Sequence, residues 1–322
     1  MPYAGRDPQL YWSRTGEGPE PMLFITGFTI SSAVFDPILP LYEDRFSCIS
    51  YDNRGSGRSS SPMKLTSMPE LAADAVRVLD AAGIRSAHVY GLSMGGMIAQ
   101  ELAIRFPERV RGLVLGCSTP GGPRAVLPTA RQLIALGGGA VKGLSEPGRP
   151  MLARMLFSPE FRKAHPERVT ELLRFFAAHR AKAHGITAHW WASVYHDTME
   201  RLHRIQAPTL IFHGGSDTMA PVANAYVLAE RIPDAEVAVI EGTGHAYLLE
   251  APERSRDRLY EWLDRRGPIP AGTPPTGLVA HAEPITRALG LPIGTFRTGR
   301  SLIAHARDRL RGRSRPRDTP FG

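Results

Sequence analysis

The chain has only two cysteines in 322 residues, Cys48 and Cys117. Each sits in an apolar, strand-like run, and so small a number predicts buried free thiols in a reducing compartment rather than a disulfide framework. No apolar run approaches the roughly 20 residues needed to cross a bilayer. The first residues lack a basic start followed by an apolar stretch, so no secretory signal is expected and the cytoplasm is the expected location. Lysine is missing from 265–322, a segment with 11 arginines and three acids, Glu283, Asp308 and Asp318. The rest of the chain carries 28 basic and 28 acidic residues. The net charge of +8 therefore belongs to the tail and says nothing about the substrate.

What is present reads as strands alternating with helices. Apolar runs at 22–25, 46–51, 87–90, 110–117, 209–213 and 236–240 predict strands. Helical spacing at 69–82 (Leu71, Ala75, Val78, Leu79) and at 97–105 predicts helices, with Gly83 ending the first. Near-continuous apolar strands separated by helices imply an α/β protein whose mostly parallel central sheet is covered on both faces. Ligands on such sheets bind at the carboxyl ends of the strands.

The alternation stops between 118 and 206. Helical pieces at 129–136, 166–178 and 186–196 are broken there by Gly137-Gly138-Gly139 and Pro147-Gly148-Arg149-Pro150. The strand pattern resumes afterwards, which predicts a helical lid inserted between two halves of one core, 1–117 and 207–266. Beyond it, 267–275 is rich in Pro and Gly and predicts a linker into a flexible basic tail, 267–322, with short helical candidates at 285–289 and 301–311.

A serine hydroxyl is a poor nucleophile at neutral pH. It needs a base within reach, a group that orients the base, and donors aimed at the developing oxyanion. Gly91-Leu92-Ser93-Met94-Gly95 lies between an apolar strand and a helix, where the chain turns sharply and holds Ser93 clear of the backbone. Asp217 follows the strand at 209–213, in Gly214-Gly215-Ser216-Asp217, and His245 follows the strand at 236–240, in Gly242-Thr243-Gly244-His245. The order Ser, acid, His is the one this architecture uses. Competing readings are a turn aspartate capping a helix near Pro221 and a satisfied surface histidine.

Together with Tyr51-Asp52-Asn53-Arg54-Gly55-Ser56-Gly57-Arg58-Ser59 and Ala220-Pro221, these motifs make the region from about Leu10 to Asp264 resemble the α/β-hydrolase superfamily. Within it, the chain is similar to 3-oxoadipate enol-lactonases, cofactor-free haloperoxidase-like esterases and polyketide methylesterases. The resemblance implies Ser93 as nucleophile, His245 as general base and Asp217 as the orienting acid. It also implies an oxyanion hole made by the backbone N–H groups of Met94 and Phe28. Family members usually carry His-Gly before the second donor, whereas this chain has Thr26-Gly27. No cofactor or metal is implied, and His184, His189, His196 and His203 lack ligand spacing. Asp52 and Arg54 read as turn residues without a catalytic task.

The lid aromatics, Phe175-Phe176 and Trp190-Trp191, imply an apolar or aromatic small-molecule substrate, with Phe28, Trp190 and Trp191 as candidate contacts. Aromatics at helical spacing equally suit packing between lid helices. The residues leave open an ester, a lactone or a C–C bond beside a ketone, and also perhydrolysis by peroxide. A hydrolase-derived binding protein is the alternative of another class. No specific nucleic-acid partner is expected. The Arg-rich tail suits at most weak binding to an anionic surface, and the oligomeric state is open.

Overall fold

The run Phe46-Ser47-Cys48-Ile49-Ser50-Tyr51 is buried along its whole length, as a strand covered on both faces must be. The computed structural model describes residues 3–61, 63–126 and 149–272. Its strands are β1 (Tyr3–Ala4), β2 (Leu10–Thr15), β3 (Glu20–Ile25), β4 (Phe46–Tyr51), β5 (Ala87–Leu92), β6 (Val110–Gly116), β7 (Thr209–Gly214) and β8 (Ala235–Ile240). They form one sheet in the order β1-β2-β4-β3-β5-β6-β7-β8. From β4 to β8 every neighbouring pair is parallel, whereas β1 and β2 join one edge antiparallel. The α/β class with a mostly parallel central sheet is the observed one. The antiparallel edge had no apolar run to mark it, because β2 is mostly half-buried or exposed.

Alternate residues of each strand feed opposite cores. Leu23, Ile25, Ile49, Val89, Leu113 and Ile211 face one cluster; Met22, Phe24, Cys48, Tyr90, Val114 and Phe212 face the other. The first cluster is closed by α1 (Met68–Ala81) and α2 (Met94–Arg105). The start of α1 is set by a capping box, in which the Glu70 carboxylate accepts the Ser67 N–H at 2.9 Å while the Ser67 hydroxyl accepts the Glu70 N–H.

Between β6 and β7 the described residues form α3 (Arg149–Leu156), α4 (Pro159–Ala164), α5 (Pro166–Ala178) and α6 (Ala183–Val194), followed by a 3-10 turn over Met199–Arg204. After β7 come α7 (Ala223–Arg231), α8 (Tyr247–Glu250) and α9 (Pro252–Arg266), with Trp262 of α9 fully buried in the second core. The helix expected at 129–136, the glycine break after it and the tail helices lie outside the described residues. The start of the expected linker folds back on the core, where the Gly272 N–H donates to the Pro107 carbonyl at 3.1 Å. Both cysteines are free and buried, and burial pushes the Cys48 thiol up to about 12. Among the described residues, no helix is long and apolar enough to cross a membrane.

Candidate active site

Ser93 stands at the junction of β5 and α2 with φ +56°, a left-handed conformation that a non-glycine residue adopts only under constraint. Its backbone is pinned on both sides. The Ser93 N–H donates to the Gly116 carbonyl at 2.7 Å, and its carbonyl accepts from the Gly96 N–H and the Ser118 hydroxyl. Helix α2 starts at Met94, earlier than the spacing predicted, because the turn leads directly into it. Gly95 makes this geometry possible, since a β-carbon there would lie 2.1 Å from the Ile25 carbonyl oxygen of β3.

The loop after β3 runs beside this turn. A β-carbon on Gly27 would stand 3.3 Å from the Ser93 β-carbon and 3.8 Å from its Oγ. Among the described residues, neither the Phe28 nor the Met94 backbone N–H has an acceptor, in contrast to the Ser93 N–H between β5 and α2. Asn53 holds the base of the loop, with its Nδ2 donating to Thr26 Oγ1 at 3.1 Å and to the Thr26 carbonyl at 3.2 Å. Asp52, buried, accepts the Ser32 N–H and hydroxyl on Oδ1 and the Arg58 N–H on Oδ2. Arg54 forks onto buried Asp74 at 2.5 and 2.7 Å. Asp52 and Arg54 thus tie the 52–58 turn to the 26–32 loop and to α1.

Asp217 and His245 meet from the ends of β7 and β8, with His245 Nδ1 donating to Asp217 Oδ2 at 2.8 Å. The other oxygen, Oδ1, accepts the N–H groups of Met219 and Ala220, so the turn-capping role and the orienting role coexist in one side chain. Burial alone would raise the Asp217 carboxyl, but the His245 charge and hydrogen bonds from His213 and His245 outweigh it, and the group is held well below the usual carboxylate range. The residue ahead of this turn, Gly214, donates its N–H to Cys117 Sγ, and His213 Nε2 donates to the Ala220 carbonyl at 2.8 Å and lies 3.4 Å from Asp217 Oδ2. Cys117, His213 and Asp217 form a close buried group with ligand-type atoms within 4.8 Å of one another. Within it Cys117 Sγ accepts the Gly214 N–H, His213 Nε2 donates to the Ala220 carbonyl, and the Asp217 carboxylate takes donors from Met219, Ala220 and His245.

Sequence reasoning missed His213 and Cys117, along with Glu250, which accepts the Gly244 N–H at 2.9 Å and the Ser158 hydroxyl at 2.6 Å. Glu250 thereby anchors the His245 loop to the insertion. For His213 a signal existed, since it falls four residues before Asp217; for the others there was none.

Ser93, His245, Phe28 and Met94 line one cavity of about 600 Å³. Its other walls are largely aliphatic, including Met97, Met155, Leu156 and Leu248. Trp190 and Phe176 also reach it, but Trp191 and Phe175 do not line it. Trp191 packs on Tyr195 with centroids 4.4 Å apart, and Phe175 stacks on His179 at 4.1 Å. Consecutive helical residues point about 100° apart, so neighbouring aromatics need not share the cavity.

Residues 20–252 match a protein-family model described as alpha/beta hydrolase fold. The chain is 31% identical over 257 residues to a putative carbamate hydrolase RutD of Azorhizobium caulinodans, covering 79% of this chain and 94% of that protein. It is 29% identical to 3-oxoadipate enol-lactonase 2 of Acinetobacter baylyi over 77% of this chain and 90% of that one. Among solved structures, Est816, described as an N-acyl homoserine lactone degrading enzyme, superposes with a TM-score of 0.70 at 29% identity, covering 81% of this chain and all of the other.

Proposed function

The chain belongs to the α/β-hydrolase family, and on that premise we propose that it is a serine hydrolase that opens carboxylic ester-type bonds through an acyl-enzyme on Ser93. The observation that carries this reading is the strained Ser93 turn sharing one apolar cavity with His245, whose Nδ1 is bonded to Asp217.

In this reading, Ser93 Oγ attacks the carbonyl carbon while His245 Nε2 takes the hydroxyl proton. Asp217 keeps that proton acceptor oriented and stabilises the imidazolium. The carbonyl oxygen becomes an oxyanion between the N–H groups of Phe28 and Met94. Collapse breaks the bond to the leaving alkoxide, which receives the proton from His245. Water then repeats the sequence on the acyl-enzyme and frees the acid and Ser93. The helices inserted between β6 and β7 act as a lid, and Phe28, Trp190 and the aliphatic wall select an apolar acyl or alcohol group.

A cyclic ester is the second reading, favoured by the similarity to two lactone-opening enzymes. It needs the same steps, with the leaving alkoxide remaining tethered to the acyl group. Labelling by a fluorophosphonate probe, compared with Ser93→Ala, tests both. Labelling that depends on Ser93 is expected, and equal labelling of the two proteins would remove the serine mechanism. A panel of linear esters and lactones of graded acyl size then separates the two readings by kcat/KM.

A further inference from the structure

The stretch of the loop that follows Phe28, residues 29–31, is held by the insertion. Thr29, the next residue, has φ +62°, a second left-handed non-glycine position beside the site. Its carbonyl accepts the Ala181 N–H at 2.7 Å, and the Ser31 N–H donates to the His179 carbonyl at 3.2 Å. Ile30 and Arg180 complete a short antiparallel bridge between the two segments.

The remaining backbone polar group of Thr29, its N–H, is met by a side chain from α6. His189 is fully buried, and its Nδ1 accepts the Thr29 N–H at 3.3 Å while its Nε2 donates to the Arg54 carbonyl at 2.7 Å. The two contacts define the ring. Nδ1 faces a donor and must be unprotonated, so the single proton sits on Nε2. Burial lowers the His189 pKa to about 4, which keeps this neutral form in place at neutral pH.

The aromatic ring of Phe28 is gripped by the same helix. It lies 6.3 Å from the His189 ring and 6.3 Å from that of Trp190, tilted 60° and 69° to them. Such an approach needs α6 unusually close to the core. Gly185 and Gly55 provide it, since a β-carbon on Gly185 would lie 2.1 Å from the Gly55 carbonyl oxygen.

We propose that His189 is a positioning residue of the oxyanion loop: by accepting the Thr29 N–H it fixes the peptide plane next to Phe28 and so aims the Phe28 N–H at the reacting carbonyl oxygen. Position 26, at the base of the loop, is threonine, and an imidazole reaches the loop from the insertion. Seating of α6 and competence of the oxyanion hole become one event. The inference rests on the serine-hydrolase reading of Ser93.

The test compares the intact chain with His189→Leu, His189→Asn and His189→Gln on an aryl ester. Each protein is first titrated with a fluorophosphonate, so that rates are expressed per reactive Ser93. The affinity of an aryl boronic acid, which forms a tetrahedral adduct on a serine, is measured in parallel. Loss of aim at one oxyanion donor is expected to lower kcat per site by about 10–100-fold in the Leu variant, with KM within about threefold and boronate binding weakened in step with kcat. Asn, whose Oδ1 takes the place of the imidazole Nδ1 and can accept the Thr29 N–H, is expected to recover part of the loss, and Gln, one bond longer, less. If Leu does not fold, the order Gln below Asn below the native chain decides the matter. A native kcat per site in the variants would overturn the proposal. So would a loss confined to KM, with boronate affinity following KM. Failure of the native chain to label at Ser93 would instead overturn the serine-hydrolase reading.

Discussion

His245 Nδ1 and Asp217 Oδ2 lie 2.8 Å apart although the two residues are 28 positions apart in the chain. The contact exists because β7 and β8 are parallel neighbours, with Gly214 opposite Ile240, so the loops leaving both strands emerge at the same end of the sheet. The Asp217 carboxylate also receives the N–H groups of Met219 and Ala220, and His213 backs it from β7. A buried anion with this many donors is a fixed electrostatic element, charged before any substrate arrives.

Asp217→Asn separates the two tasks of that side chain. The amide oxygen can still accept the Met219 and Ala220 N–H groups, so the thermal midpoint should change by only a few degrees. The anion is lost, and the tautomer of His245 with it, so kcat on an ester should fall by about 10³–10⁴-fold. A variant within tenfold of the native rate would remove Asp217 from the mechanism.

The Ser93 turn has no spare volume. Gly95→Ala puts a β-carbon 2.1 Å from the Ile25 carbonyl oxygen, which belongs to a central strand and cannot move aside. Soluble, folded protein should drop sharply, and any folded fraction should label slowly with a fluorophosphonate because α2 and the Met94 N–H are displaced. Native yield and native labelling would contradict the close packing of α2 on β3.

Acid should weaken the fold through its buried histidines, His189 and His196 among them. Burial lowers both His189 and His196 to about 4, against about 6.5 in an unfolded chain. Above pH 6.5 neither state binds the proton. Between 6.5 and 4 the unfolded chain binds it and the folded chain does not, so stability falls as pH falls, by up to about 1.4 kcal/mol per pH unit for each residue. Below 4 the effect levels off. Among the described residues, neither ring nitrogen of His196 has a hydrogen-bond partner, so His196→Leu is expected to remove the titration without breaking a bond. Urea unfolding of the two proteins at pH 6.5, 5.5 and 4.5 should show the Leu variant losing less stability per unit; parallel lines would refute the buried neutral state.

The neighbours Trp190 and Trp191 should differ in function. Trp190→Ala opens the cavity wall and should shift preference toward bulkier acyl or alcohol groups, read as a several-fold change in the ratio of kcat/KM between large and small esters. Trp191→Ala removes a contact with Tyr195 and should lower the thermal midpoint while leaving that ratio unchanged. Equal changes in the ratio would mean that the helix face is assigned wrongly.

Much of the site was legible because its signals are local. A strand-turn-helix with glycines around a serine is a backbone requirement written in consecutive residues, and Ser93 occupies that turn with the expected strain. Aspartate and histidine placed after two apolar strands identify themselves by position, since parallel strands deliver their loops to one end. The apolar runs likewise predicted the parallel strands within a few residues, as burial on both faces leaves little room for polar groups. What the tertiary structure alone decided concerns partners far apart in the chain. The antiparallel β2 edge, the donors around Asp217 from His213 and the anchoring of the His245 loop by Glu250 depend on which elements become neighbours. Which of Trp190 and Trp191 faces the cavity depends on the rotation of α6, whose Gly185 packs closely against Gly55. His189 had no ligand or triad spacing to mark it, because its partners, Thr29 and Arg54, lie 160 and 135 positions away and offer only backbone groups.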